Sequence, residues 1–459
     1  MGVEGATPLA GSGAQPWDFA SFPRLPWIGP GGGFRSRAFC FMSLGMPIFL
    51  RVTLPLAGLN FLNQAARAVI ATIGPLLALE FSLSATELGL LSASFFASYA
   101  LAQLPVGLAL DMYGVGRVQR TLALVAAVGF ALCALSSGVV SLAVGRFVTG
   151  IGISVGMIAM LTAHSQWVPR HRVAAMTGLG VFVASFGGLS ATLPTQLLVP
   201  LMGWRGVFWI MAGIALAMSL WIALSVRDPP GAVRHQRKLG QSIVEFGAVF
   251  AHPNFLRYAP AIALLSGLTF TYGGLWAGPW LRDVGGYQAE MRAGLLMAYM
   301  AGMTAGSLLT GQCASYLQRR GFDAMTVPFV AMGGLWLVQI LLILNPSPHP
   351  VAIGAIWFTF AFLSSAGPAG YAAVSQRFPP ELAGRIGTAL NFTMLVVVFF
   401  LQNAIGWILD WWPRTADDGW DPVAYGWAMG LTVVLQAVCV LWMVTAFPGD
   451  RKGRETASG

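Results

Sequence analysis

Charge is what this sequence lacks most. Only 9% of its 459 residues are Asp, Glu, Lys or Arg, and 56% are hydrophobic, whereas an ordinary soluble domain carries about a quarter charged residues. A soluble fold is therefore excluded. Carboxylates are missing from the middle of every long apolar run: Glu80, Glu87, Asp111, Asp283 and Asp410 all fall at the ends of runs or in loops. A cation inside such a run has no protein counter-ion by sequence. Cysteine is scarce and unpaired in spacing. Cys40, Cys133, Cys313 and Cys439 are scattered along the chain, which argues against a disulfide framework or a cysteine metal site and predicts buried thiols. No His, Cys and carboxylate cluster suggests a metal, no loop cradles phosphate, and no soluble segment is large enough for a catalytic domain. Neither an enzyme nor a cofactor is expected.

What is present is apolar length. Runs of roughly twenty residues, enough to cross about 30 Å of hydrocarbon, recur near 52–79, 87–110, 119–137, 142–166, 174–199, 206–226, 258–281, 293–317, 324–345, 351–373, 386–410 and 425–447. The reading is an all-α membrane protein with about twelve transmembrane helices. The net charge of +9 does not mark a nucleic-acid site, because the basic residues follow the membrane. Arg51, Arg117, Arg120, Arg170, Arg172, Arg227, Arg234, Arg237, Lys238, Arg257, Arg319, Arg320, Arg377 and Arg385 fall on one side; Arg205, Arg282, Arg292 and Arg414 fall on the other. The positive-inside rule then predicts an inner-membrane protein with both termini in the cytoplasm.

Two short stretches repeat. "SQWVPR" at Ser165–Arg170 follows the fourth run and "SQRFPP" at Ser375–Pro380 the tenth, and Gly107 and Asp111 after the second run correspond to Gly311 and Ser315 after the eighth. An offset of about 210 residues predicts two pseudo-symmetric six-helix halves around a central cavity, related by an axis along the membrane normal. The expected organisation is a Gly- and Pro-rich tail at 1–48, a first half at 49–226, a linker at 227–257, a second half at 258–447 and a tail at 448–459. The first segment is expected to be disordered or to precede a true start at Met46. Ala38–Leu50 is too short to span and lacks a small-residue cleavage site, so no cleaved signal peptide is expected. In the linker, Leu239, Ile243, Phe246 and Phe250 at helical spacing beside Arg237 and Lys238 predict a helix on the membrane surface.

"GLALDMYGVGR" at Gly107–Arg117 resembles the loop signature of the major facilitator superfamily, commonly G-x-x-x-D-R-x-G-R-[RK], and "GRFVTGIG" at Gly145–Gly152 resembles its fourth-helix R-x-x-x-G-x-G pattern. "FFASYALAQLPVGLALD" and "LWAGPWLRDV" are similar to a broad bacterial group often labelled nitrate/nitrite or sugar-phosphate permeases. The resemblance implies a monomeric secondary transporter working by alternating access. It also implies a gate of Gly107, Asp111, Gly114 and Arg117, with Asp111 meeting the N-terminus of the eleventh helix near Gly384–Thr388. Met112 and Gly116 depart from the signature where Arg is usual. "GVFVASFGG" at Gly180–Gly188 lacks the proline of many proton-coupled drug exporters.

Arg67 lies mid-run in "FLNQAARAVIATIGP". An arginine at a helix centre costs about 3 kcal/mol on insertion scales, so such charges usually face a cavity. Asn60, Asn63, Gln64, Arg67 and Gly74 form one helical stripe, and the resemblance turns the first helix of each half inward. In the seventh run, Thr269, Tyr272, Trp276 and Trp280 share a face; packing with an interfacial belt accounts for Trp280 and competes evenly for the others. Asn391 and Gln196 are further candidate donors, a helix–helix hydrogen bond being the favoured alternative for each. Arg146 and His164 are candidates for coupling, Arg146 with snorkelling as its alternative. "GISVG" at Gly152–Gly156 matches a nucleophile pattern but sits in a membrane helix, without the strand-turn-helix setting.

With no buried carboxylate to pair with Arg67, the expected substrate is a small anionic or zwitterionic solute, its anionic group bound by a two-pronged guanidinium. The absence of a second membrane arginine in the second half argues against nitrate and phosphate esters and for a singly charged organic acid or an amino-acid-like solute. Coupling is expected from a proton carried with the substrate, from exchange against another anion or through His164, and simple facilitated diffusion stands beside these. A metabolite or multidrug exporter of the same fold and a non-transporting membrane receptor stand as alternatives.

Overall fold

Inside hydrocarbon every backbone N–H and C=O must be paired within the chain, and a helix does this segment by segment. The computed structural model describes residues 48–168, 170–226, 239–344, 349–379 and 382–445, which contain helices and no strand. The expected N-terminal tail with Cys40 and Met46, the linker residues Arg227 to Lys238, and the C-terminal tail from 448 lie outside the described residues. Eleven described helices are long and apolar enough to cross a membrane. One of them holds two passes. Leu193–Ser225 is broken at Gly203, whose φ of 68° and ψ of 172° no helix tolerates. Trp204 and Arg205 donate to the Glu80 carboxylate at 2.6 and 2.7 Å, at the end of the first helix, while Ser219 donates to the Arg120 carbonyl near the other face.

Twelve passes result. They are α1 (Leu54–Glu80), α2 (Ala85–Tyr113), α3 (Val115–Ala134), α4 (Val139–Trp167), α5 (170–202), α6 (204–225), α7 (Pro253–Asp283), α8 (Ala289–Arg319), α9 (Thr326–Leu344), α10 (Pro350–Ser375), α11 (Ala383–Leu409) and α12 (Pro422–Val444). Arg51, Arg117, Arg120, Arg257, Arg319 and Arg377 sit at one end of the bundle, called here the basic face. The linker helix Leu239–Phe250 does not simply rest on a lipid surface: Phe246 and Phe250 pack on Phe392 of α11, with ring centroids 5.9 and 6.1 Å apart.

Four passes are interrupted where the sequence suggested continuous helices, α5 at residues 191–192. In α4, residues 153–155 leave the helix between Gly152 and Gly156; in α10, residues 365–366 do so just before Gly367 and Pro368. The two breaks occupy matching places in the repeat. In α7 a π-turn, Tyr272–Trp276, inserts a residue and shifts the face that follows. Near the "GISVG" decoy the chemistry is thus backbone geometry, not catalysis.

The halves meet at the face opposite the basic one. Gly278 of α7 lies against the Ala71 carbonyl of α1 with no room for a Cβ, and a Ser84–Glu87 capping box with bonds of 3.1 and 2.9 Å starts α2 beside this seam. Gly278→Ala should therefore force α1 and α7 apart, lowering stability by about 1–3 kcal/mol, read as a reduced melting temperature in detergent; an unchanged melting temperature would contradict the close approach.

Candidate functional site

On the basic-face side of that seam lies a cavity of about 520 Å³, lined by Asn60, Asn63, Gln64 and Arg67 of α1, Tyr99 and Gln103 of α2, Ser154 of α4, and Tyr371 and Asn391 of the second half, with apolar residues between. A connected chamber of about 310 Å³ shares Gln64, Arg67, Tyr371 and Asn391 and adds Ser266, Thr269, Phe270, Thr304, Ser307 and Ser365. Arg67 is the only charged residue lining either space among the described residues.

The guanidinium is held from three sides. Its Nε donates to Asn63 Oδ1 at 2.7 Å, and its Cζ lies 4.7 Å from the Tyr99 ring and 4.6 Å from the Phe270 ring. Such cation–π contacts contribute about 0.5–2 kcal/mol each. Tyr99 belongs to the first half and Phe270 to the second, so the cation bridges the two. Asn63 in turn donates to the Tyr99 hydroxyl at 3.3 Å and to the Ile153 carbonyl at 3.2 Å, and Gln103 donates to the Ser154 carbonyl at 3.2 Å. Two carbonyls released by the α4 break thereby anchor the amides beneath Arg67. No Asp or Glu among the described residues pairs with it.

The remaining expected site residues separate cleanly. Asn60, Asn63, Gln64 and Asn391 line the cavity; Gln196 does not. Tyr272 and Trp276 also line neither space. The π-turn carries them into the second half, where Tyr272 packs on Trp357 and Phe360, and Trp276 donates to the Gln402 carbonyl at 3.2 Å and meets Trp420. They are packing residues, as is Trp280, which is buried against Trp357 instead of sitting in an interfacial belt. Arg146 does not snorkel. It is fully buried over the Phe95 ring and donates to the Ala66 carbonyl at 2.7 Å, tying α4 to α1 beside Arg67. His164 is pinned between the Thr53 and Thr177 hydroxyls, 2.9 Å from each, away from the cavity. Of the thiols, Cys133 is buried but Cys313 is exposed, outward on α8. Tyr99, Gln103, Phe270 and Tyr371 were missed because neutral residues in an apolar run give no signal until their helices are placed.

The gate is engaged at one end only. At the basic face Gly107 looks onto open space, Asp111 is exposed, Gly114 takes the positive φ of 83° that ends α2, and Arg117 is exposed beyond it. At the opposite face the same two helices are latched. The Asp410 carboxylate at the end of α11 accepts the Ala85 and Thr86 amides at 2.9 and 2.8 Å, capping the N-terminus of α2, and Arg414 donates to the Leu83 carbonyl.

A largely apolar cavity that holds one arginine and several amides, set between two helical halves and sealed at one face, is the architecture of a membrane transporter. Residues 56–402 match the Major Facilitator Superfamily, and the chain belongs to that superfamily. It is similar to a probable sulfoacetate transporter of Cupriavidus necator, 25% identical over 349 residues that cover 72% of this chain and 79% of the relative. It is also similar to a D-galactonate transporter of Escherichia coli, 24% identical over 381 residues that cover 74% and 86%. The fold resembles the crystal structure of a bacterial homolog to the human lysosomal transporter Spinster in an inward-facing and occupied conformation, with a TM-score of 0.69 and 19% identity, covering 90% of this chain and 97% of that one.

The latch predicts a conformational effect. Asp410→Asn removes a charge worth roughly 0.3–2 kcal/mol at a helix N-terminus, so the population open at that face should rise several-fold. Spin labels at the exposed positions Leu90→Cys and Trp407→Cys should report a longer distance between α2 and α11; an unchanged distribution would refute the latch.

Proposed function

We propose that the chain is a secondary transporter of a small organic anion, with Arg67 binding the anionic group. One observation carries this reading: a guanidinium on the wall of a membrane cavity with no protein carboxylate to neutralise it. Asn63 occupies the Nε side, and the Tyr99 and Phe270 rings lie against the guanidinium, which leaves the paired terminal nitrogens for a bidentate carboxylate or sulfonate. That the related sulfoacetate and D-galactonate transporters are named for organic anions supports it.

The same charge supplies a coupling rule. To change sides the protein must close the cavity, and an unpaired guanidinium in the closed, low-dielectric site carries a desolvation penalty. A bound anion cancels much of it. Closure then follows substrate, with Phe270 of the second half moving against Arg67 of the first as the halves rock between the Asp410 latch and an Asp111 contact on the basic face. Inward-facing is the state described if the basic face is cytoplasmic, as the arginine distribution predicts. Neither Asp, Glu nor His lines the cavity among the described residues, so the driving ion is a proton riding on the substrate or a counter-anion in exchange. The monomer is the transporting unit in this reading.

Uptake of labelled organic acids into proteoliposomes tests it. Arg67→Gln should reduce uptake at least about tenfold, equivalent to about 1.4 kcal/mol, and Arg67→Lys should retain a fraction, since it keeps charge without the two-pronged geometry. Full uptake by the Gln variant would overturn the assignment; saturable binding without flux would favour a receptor.

A further inference from the structure

A groove larger than the central cavity, about 840 Å³, lies on the outside of the second half, at the face opposite the basic one. Its walls are apolar: Ile343 at the end of α9 and Ile408 and Trp411 at the end of α11 stand across from Gly426, Trp427 and Gly430 of α12. Trp411 and Trp427 are 60% and 65% exposed, so in a bilayer this surface meets lipid. Two missing side chains make the groove. Elsewhere in the bundle glycine permits close packing, as at Gly302 and Gly306, where a Cβ would meet the Phe358 and Phe362 carbonyls at 2.3 and 2.2 Å. Gly426 and Gly430, one turn apart, have no such partner: a Cβ would touch only an Ile343 methyl at 4.0 Å at the first and nothing at the second. Glycine weakens a helix relative to alanine, so this open pair calls for an occupant from outside the chain.

Depth and charge select the occupant. The α12 wall from Val423 to Val434 rises about 17 Å, close to one leaflet of a hydrocarbon core about 30 Å thick. Tryptophans mark the mouth: the Trp407 and Trp411 rings lie 4.7 Å apart, and Trp412 stacks on Trp427 at 6.5 Å, the setting of an aromatic belt at headgroup level. The loop from Trp412 to Asp421 joins the two walls at this level. It carries Arg414 against Asp417, Asp418 and Asp421, one positive and three negative charges, for a net charge of −2. Asp421 caps α12 by accepting the Val423 amide at 2.8 Å. Asp417 and Asp418 are exposed, and their carboxylates enter no ion pair or hydrogen bond among the described residues. Arg414 is also exposed, its hydrogen bond going to the Leu83 carbonyl.

These features match a zwitterionic lipid. An acyl chain suits the apolar walls, a phosphate suits Arg414, and a primary ammonium suits two unpaired carboxylates through charge-assisted hydrogen bonds, which a quaternary ammonium has no N–H to make. An anionic headgroup would face a mouth of its own sign. We propose that the groove binds a phospholipid with a primary-amine headgroup, of the phosphatidylethanolamine class, one acyl chain lying along Gly426 and Gly430 and the amine meeting Asp417 and Asp418. The site lies apart from the central cavity and does not depend on the reading of Arg67. Ile408 and Trp411 flank Asp410, so the lipid rests against the segment whose carboxylate caps α2.

Native mass spectrometry of the purified, delipidated full-length protein tests it, with phosphatidylethanolamine, phosphatidylcholine and phosphatidylglycerol of matched acyl chains as probes. Phosphatidylethanolamine should bind at least about tenfold more tightly than either of the others. Gly430→Leu places a side chain in open space and should weaken phosphatidylethanolamine several-fold while leaving the melting temperature in lipid-free detergent unchanged. Asp417→Asn combined with Asp418→Asn, both on the exposed loop, should erase the preference over phosphatidylcholine without weakening phosphatidylcholine itself. Equal affinities, tighter binding of phosphatidylglycerol, a preference that survives the double Asn variant, or binding that ignores Gly430→Leu overturns the proposal. A dimer that Gly430→Leu dissociates would assign the groove to a second copy of the chain and overturn it as well.

Discussion

A guanidinium that the protein itself does not neutralise organises this molecule. Arg67 is buried by its own fold, with a relative exposure of 7%, yet the groups that hold it are an amide and two aromatic rings. Each of these stabilises a cation only in part. Rings and a neutral amide orient the group, and their contribution stops short of what a carboxylate gives. A carboxylate in that place would have produced a well-satisfied ion pair, expensive to break and indifferent to the solute. In the proposed function, leaving the position open makes an anionic solute the partner that completes the site. The bond from Asn63 to Ile153 and that from Gln103 to Ser154 extend this logic outward, since they lock the floor of the site to the break in α4.

Alternating access needs the seam between the halves to be firm at one face and reversible. Close backbone approach at Gly278 gives firmness over a small area. Reversibility comes from the antiparallel pair α2 and α11. Asp111 lies in the last turn of α2 and Asp410 directly follows α11, and the first amides of any helix have no partner within that helix. Asp410 occupies the α2 N-terminus at 2.8–2.9 Å, while Asp111 at the other end is exposed. In the proposed cycle, rocking that breaks the Asp410 contact brings Asp111 towards the N-terminus of α11. Met112 and Gly116 stand where the superfamily signature usually carries Arg.

Much of the fold was legible because membrane spans are a matter of apolar length, and the Ser-Gln-x-x-Pro repeat at 165 and 375 exposed the two halves. Arg67 was legible for the same reason: a permanent charge in a long apolar run is hard to overlook. The limits have physical causes. Helical spacing placed Tyr272 and Trp276 on the Thr269 face, but the π-turn that begins at Tyr272 inserts a residue, and the register counted from Thr269 fails after it. Phe270, one residue from Thr269, is the one that reaches Arg67. Arg146 reads from sequence equally as a snorkelling residue, since depth along a helix says nothing of which neighbour it faces. The breaks in α4 and α10 carried signals in Gly152, Gly156, Gly367 and Pro368, but in a membrane helix such residues also serve close packing, and only the structure separates the two uses.

The central claim is that the solute's negative charge completes the Arg67 site. The most direct measurement is the affinity of a transported acid and of its uncharged amide, each for the parent protein and for Arg67→Gln. The account predicts that the parent prefers the acid by at least about tenfold and that Arg67→Gln abolishes the preference, a coupling of about 1.4 kcal/mol or more. An acid preference that survives intact in Arg67→Gln would contradict it.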